Sequence, residues 1–212
     1  MHWQEFSDGL AMAASIAFAV TAVLAIREDS DVDIFGATVL GVITAVGGGT
    51  IRDVVIGVPV FWVDDLSYIY VAAVASIAAF YGRRLFLARG VYGSMLYLDG
   101  FGAAMFGIQA VGKVWDADAG VPAAPVMLGV TTAIGGGLIR DVLAGRTTLL
   151  MKPELYAVPV LLGCLLFAAV LAYLPEFRTP GSLLCIAVSF GIRSAAIRWN
   201  WQMPAFTRTH RT

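Results

Sequence analysis

Long apolar runs, each closed by charged or turn-forming residues, recur along the chain. The first covers residues 7–26 and stops at the cluster Arg27-Glu28-Asp29-Ser30-Asp31. A second runs from Ile34 to about Gly57 and is closed by Pro59 and Asp64-Asp65, and a third, from about Leu66 to Tyr81, reaches Arg83-Arg84. The fourth, from Tyr92 to Val111, is rich in small residues such as Gly100, Ala103, Ala104 and Gly107, which let helix backbones approach closely in lipid. Residues 121–144, Leu155 to Leu174 and Leu183 to about Ile197 complete the series. A helix rises about 1.5 Å per residue, so about twenty apolar residues cross a hydrocarbon core of about 30 Å. The pattern predicts an all-α integral membrane protein with seven transmembrane helices in a single membrane domain spanning residues 1–212.

One phrase occurs twice. Gly47-Gly48-Gly49-Thr50-Ile51-Arg52-Asp53 in the second run maps onto Gly135-Gly136-Gly137-Leu138-Ile139-Arg140-Asp141 in the fifth at an offset of 88, and Gly57 maps onto Gly145 at the same offset. Upstream, Asp8-Gly9 can be laid on Asp99-Gly100 at an offset of 91. Spans one to three, about residues 7–82, therefore repeat as spans four to six, about residues 92–174. Because three is odd, the second unit enters the membrane from the opposite side, so the expected architecture is a 3+3 inverted repeat plus a seventh helix at about residues 182–198.

Composition agrees with a bilayer environment: 59% of the 212 residues are hydrophobic and 14% charged, against about 25% charged in soluble domains. Mean hydropathy is +0.81. A net charge of -1 offers no general attraction to nucleic acid. Cys164 and Cys185 lie in apolar runs and read as small fillers. The opening Met1-His2-Trp3-Gln4-Glu5 lacks the basic region of a cleaved signal peptide, so the first run is expected to stay as a span. Lysines and arginines collect in cytoplasmic loops. The N-terminus and the loops after spans two, four and six hold Lys113 and Arg178. The other loops and the C-terminal region hold Arg27, Arg83, Arg84, Arg89, Arg146, Lys152, Arg193, Arg198, Arg208 and Arg211. This distribution predicts an external N-terminus and a cytoplasmic C-terminus.

The repeated phrase carries the candidate chemistry. A helix-interior glycine costs roughly 1 kcal/mol relative to alanine, so three in succession predict a bend or an unwound turn. Freed carbonyls there, with the hydroxyls of Thr44, Thr131 and Thr132, would line a path for a dehydrated monovalent cation. The plainer alternative is that Gly47, Gly48, Gly49, Gly135, Gly136 and Gly137 permit close helix packing. Arginine at membrane depth costs about 2.5–3.5 kcal/mol on the insertion scale, which directs Arg52 and Arg140 to the protein interior or an aqueous cavity. Neighbouring i, i+1 side chains do not face each other on a helix, so partners are sought elsewhere. Arg52 with Asp141 and Arg140 with Asp53 form one candidate arrangement, and a network including Asp8 or Asp99 forms another. Such a network is either a static lock or a gate. Counting along the spans places Arg52 toward the outer mouth and Arg140 toward the inner one.

Enzyme motifs are missing. The glycine run lacks the context of a dinucleotide fingerprint or a phosphate loop, His2 and His210 are terminal and make no metal site with the cysteines, and no nucleophile, base and orienting acid occur together. The expectation is a non-enzyme with no cofactor and no metal held by fixed side-chain ligands.

With its Gly-Gly-Gly-x-x-Arg-Asp phrase in spans two and five and its 3+3+1 span pattern, the chain resembles the prokaryotic trimeric intracellular cation channel family. The resemblance implies a homotrimer in the bacterial inner membrane, in contact with membrane lipids, with one pore per subunit. That pore would conduct potassium and, less selectively, sodium. It also implies that spans two and five line the pore and that Gly47, Gly48, Gly49, Arg52, Asp53, Gly135, Gly136, Gly137, Arg140 and Asp141 are its functional positions. The Lys-Glu-Val lipid-binding segment of animal members is not found here. The leading expectation is a passive monovalent cation channel gated near Arg52 and Arg140. The alternative is a secondary transporter of a small zwitterionic amino acid such as glycine, using helix N-terminal amides for the carboxylate.

Overall fold

The computed structural model describes residues 3–26, 30–87 and 91–204, with the side chains of 83–87 and 91 excepted. His2, Arg27, Arg89, Arg208, His210 and Arg211 lie outside the described residues, as do the side chains of Arg83 and Arg84. The described chain is helical: α1 (Trp3–Ala25), α2 (Ile34–Ile56), α3 (Phe61–Asp64), α4 (Ser67–Leu87), α5 (Val91–Asp116), α6 (Ala123–Leu143), α7 (Ala157–Tyr173) and α8 (Arg178–Arg198). Among the described residues, four helical segments, α1, α2, α6 and the segment ending in α8, are long and apolar enough to cross a membrane.

Helix boundaries differ from the hydropathy runs where polar residues extend a helix beyond its apolar stretch. α5 continues past Val111 through Lys113 to Asp116, and α8 begins at Arg178 instead of the early 180s. The four-residue α3 falls in the connection after the second run, where periodicity is too short to read. α2 begins at Asp33, whose carboxylate accepts from the Gly36 amide at 2.7 Å, and ends at Gly57. Gly57 and its counterpart Gly145 adopt left-handed φ values of 70° and 63°, a conformation open to glycine. The Val58 amide then bonds back to the Asp53 carbonyl and the Arg146 amide to the Asp141 carbonyl.

The expected unwound turn is absent. Both α2 and α6 run as unbroken helix through their three glycines, and the room that glycine leaves is filled by the opposite helix and by aromatic side chains that follow each helix. A Cβ on Gly48 would overlap the Thr132 carbonyl, and one on Gly136 would overlap the Thr44 carbonyl. Gly47 lies against the Ile139 side chain and Gly135 against Ile51, while Gly49 receives the Phe61 ring and Gly137 the Tyr156 hydroxyl. The glycines thus bring α2 and α6 into backbone contact.

Around that crossing, α1 packs on α5, α2 and α4, α5 packs on α6, and α7 and α8 pack on each other and on α5. The largest apolar core joins Leu10, Phe18, Phe106, Val111, Val160 and Phe167. Polarity is inverted relative to a water-soluble protein. Phe35, Tyr70, Val74 and Leu184 are each more than 60% exposed, whereas Arg52, Asp53, Asp99, Arg140 and Asp141 are at most 2% exposed. An apolar exterior over buried charge is the distribution that lipid selects.

Candidate functional site

Two buried arginine sites flank the glycine crossing, each at the C-terminal end of a long helix. In the first, Arg52 Nε donates to Asp53 Oδ1 at 2.8 Å and Nη1 donates to Gln109 Oε1 at 2.6 Å. The other Asp53 oxygen accepts from the Phe61 amide at 3.0 Å, and Lys113 Nζ reaches Asp53 Oδ1 at 2.9 Å. The Arg52 guanidinium stands 5.8 Å from the centre of the Phe61 ring. Trp62 donates its indole hydrogen to Thr50 Oγ1 at 2.9 Å, fastening α3 to α2.

In the second site, Arg140 Nε donates to Asp141 Oδ1 at 2.9 Å and Nη1 donates to Thr21 Oγ1 at 3.0 Å. Nη1 also donates to Asp99 Oδ1 at 2.5 Å. The second Asp141 oxygen accepts from the Leu149 amide at 3.1 Å, eight residues on, as Phe61 is from Asp53. Arg146 follows, donating to the Ala25 carbonyl at 2.9 Å.

These geometries correct two expectations. The crossed pairs Arg52 with Asp141 and Arg140 with Asp53 do not form, and each arginine bonds the aspartate next to it. The helix rule against i, i+1 contact is overcome because a downstream amide holds the aspartate beside the helix end, and arginine is long enough to fold its Nε onto it. The network with Asp99 is present. Asp8 borders the first site without bonding Arg52; its partner is Gln4, 3.5 Å away.

The candidate hydroxyls turn toward their own helices. Thr44 donates to the Leu40 carbonyl at 2.7 Å and Thr131 to the Met127 carbonyl at 2.9 Å, whereas the buried Thr132 hydroxyl has no protein partner among the described residues. Sequence reasoning missed Gln109, Lys113 and Thr21. Gln109 had a signal, an amide inside an apolar span, and Lys113 was assigned to a loop although its stem follows the α5 helix.

Beside the first site lies a cavity of about 180 Å³ lined by Arg52, Asp8, Ala11, Tyr68, Gln109 and Lys113 among others. A second cavity of about 470 Å³ shares Asp8, Phe61, Tyr68 and Lys113 and extends to Asp64 and Asp65. In this outer part the Ser67 hydroxyl and amide, at 2.7 and 2.9 Å, hold the exposed Asp65 carboxyl below the usual carboxylate range.

A family model described as "Glycine transporter" matches residues 9–84 and again residues 96–172. The UPF0126 inner membrane protein YadS of Escherichia coli (strain K12) is 41% identical over 89% of this chain and 90% of its own length. The UPF0126 membrane protein YvgT of Bacillus subtilis (strain 168) is 35% identical over 92% and 94%. Among solved structures, the trimeric intracellular cation channel orthologue from Rhodobacter sphaeroides superposes with a TM-score of 0.85 at 31% identity, covering 92% of this chain and 99% of that one. A prokaryotic TRIC channel crystallised in 0.5 M KCl gives 0.84 at 25% identity over 94% and 100%. The chain therefore belongs to the family described as glycine transporters, alongside the UPF0126 membrane proteins, and carries the fold of the prokaryotic TRIC channels.

Proposed function

We propose that the protein is a passive monovalent cation channel of the bacterial inner membrane. The observation that carries this reading is the near-complete superposition on a trimeric intracellular cation channel orthologue. In this reading the chain is one membrane domain of seven spans. Residues 7–82 and 92–174 form a 3+3 inverted repeat, with the seventh span at 182–198. The family model's two matches and the reciprocal contacts at an offset of 88 support that duplication. The N-terminus is outside, the C-terminus cytoplasmic, and three copies assemble with one conduit each.

The conduit follows α2 and α6 for potassium and, less selectively, sodium. Its constriction is the crossing at Gly47–Gly49 and Gly135–Gly137, with Thr44, Thr131 and Thr132 beside it. Arg52 with Asp53 and Arg140 with Asp141 stand at its two mouths and control access, since an arginine not fully neutralised repels a cation. Planar-bilayer recording of the purified protein under potassium, sodium and glycine gradients tests this reading. Single-channel steps are expected, and neutralising either arginine should change open probability with the potassium to sodium permeability ratio unchanged. A changed ratio with unchanged gating removes the gate assignment. Saturable, ion-coupled glycine uptake without unitary currents replaces the channel with a carrier, the second reading, which the family description favours.

A further inference from the structure

The connections after α2 and α6 hold their aspartates in the same way and are themselves held differently. Phe61 and Leu149, which differ by the offset of 88, donate their amides to Asp53 and Asp141. In the first connection the next residue, Trp62, ties the chain back to its own helix through the 2.9 Å bond to Thr50. At the same offset Trp62 and Thr50 become Leu150 and Leu138, which cannot make that bond. The second connection is gripped by the segment that follows α8. The Met203 amide donates to the Pro153 carbonyl at 2.8 Å and the Leu155 amide to the Trp201 carbonyl at 3.4 Å, with Glu154 opposite Gln202 in an antiparallel bridge. From α8 itself, Arg193 donates through Nη1 to the Leu155 carbonyl at 3.0 Å and through Nη2 to Glu154 Oε2 at 3.1 Å. Gly100 makes room for this buried arginine, since a Cβ there would stand 2.7 Å from Arg193 Cγ. Gly9, which lies 91 residues earlier, faces nothing within 4 Å.

We propose that α8 and residues 199–203 form a strap that does for the second connection what Trp62 and Thr50 do for the first. The strap fixes Pro153–Leu155 and so keeps the Leu149 amide on Asp141 and Asp141 on Arg140. Its release frees the Arg140 site and leaves the Arg52 site as it is. The path is short. Only the turn Leu149–Met151 and Lys152 lie between the Leu149 amide and the strapped residues, and the Lys152 amide closes that turn on the Leu149 carbonyl at 3.3 Å. The strap is also the weaker partner. Trp201 and Met203 are each nearly half exposed, so the segment is held by two backbone bonds with little burial and can detach while α7 and α8 stay folded. The first connection has no need of it, because its tether lies within residues 50–62.

The strap's hold on Asp141 stands apart from the conduction reading, whereas its control of access at Arg140 rests on that reading. The test is hydrogen–deuterium exchange of the full-length protein in detergent, wild type against Met203→Pro, which removes one strap donor at an exposed position. Residues 147–152 contain the Leu149 amide and neither of the strap's own donors. They are expected to exchange at least about fivefold faster in Met203→Pro, the loss of roughly one hydrogen bond of local protection. Residues 59–64, which contain the Phe61 amide, should exchange at the wild-type rate. Unchanged exchange in 147–152, or an equal rise in 59–64, overturns the strap. Deleting residues 199–212 should accelerate 147–152 further, and Met203→Pro decides alone if the deletion fails to fold. In planar bilayers Met203→Pro should raise open probability at least about twofold, by shifting the balance between held and released Asp141. Wild-type open probability with accelerated exchange overturns the control of access. Accelerated exchange with no unitary currents from either protein overturns the channel and leaves the strap standing.

Discussion

At the scale of single residues, the two arginines are alike in sequence context and unequal in dependence. Removing Arg140 strands two buried carboxylates, Asp99 and Asp141, and only the Leu149 amide remains for the latter. Removing Arg52 leaves Asp53 with the Lys113 ammonium and the Phe61 amide. Breaking a buried pair costs about 3–5 kcal/mol, so Arg140→Leu is expected to lose stability on that order. Arg52→Leu should lose less, about 1.5–3 kcal/mol, the worth of a hydrogen bond to a charged group. Thermal unfolding of the two variants in the same detergent measures the difference, and equal losses would contradict this account of the bonding. The importance of both arginines was legible in the sequence because charge within apolar runs stands out. Their partners were not, since pairing depends on where a downstream amide places each aspartate.

At the scale of elements, the glycine triplet acts as a packing device shared between α2 and α6. Each of its positions has a different neighbour: an isoleucine of the other copy, a threonine carbonyl, and an aromatic side chain from the segment that follows its own helix. Close backbone approach of this kind also admits Cα–H to carbonyl contacts. Gly48→Ala should therefore destabilise by about 1–3 kcal/mol through overpacking on the Thr132 carbonyl. Gly191→Ala in α8, where a Cβ meets nothing within 4 Å, should be neutral or stabilising by up to about 1 kcal/mol. Denaturation of the pair under one condition separates packing from helix propensity. Hydropathy revealed the long helices and their order. It could not choose between unwinding and close packing, because the same glycines allow both until the facing helix is in place.

At the scale of the whole molecule, neither half completes the hydrogen bonding of its own buried arginine. Arg52 takes its amide partner from α5 and Arg140 its hydroxyl partner from α1, so the halves should recognise each other when separated. Co-expressed fragments 1–88 and 91–212 are expected to copurify through a tag on one of them, and Arg52→Leu in the first should reduce the recovered second. Copurification unaffected by both Arg52→Leu and Gly48→Ala would place the recognition elsewhere. The same reciprocity gives the two sites different histories during synthesis. Arg140 leaves the ribosome after Thr21 and Asp99 and finds its partners already made, whereas Arg52 precedes Gln109 and Lys113 by more than fifty residues. The nascent first half must shelter an arginine on its own aspartate until α5 arrives, and the insertion machinery meets these two matching arginines as different problems.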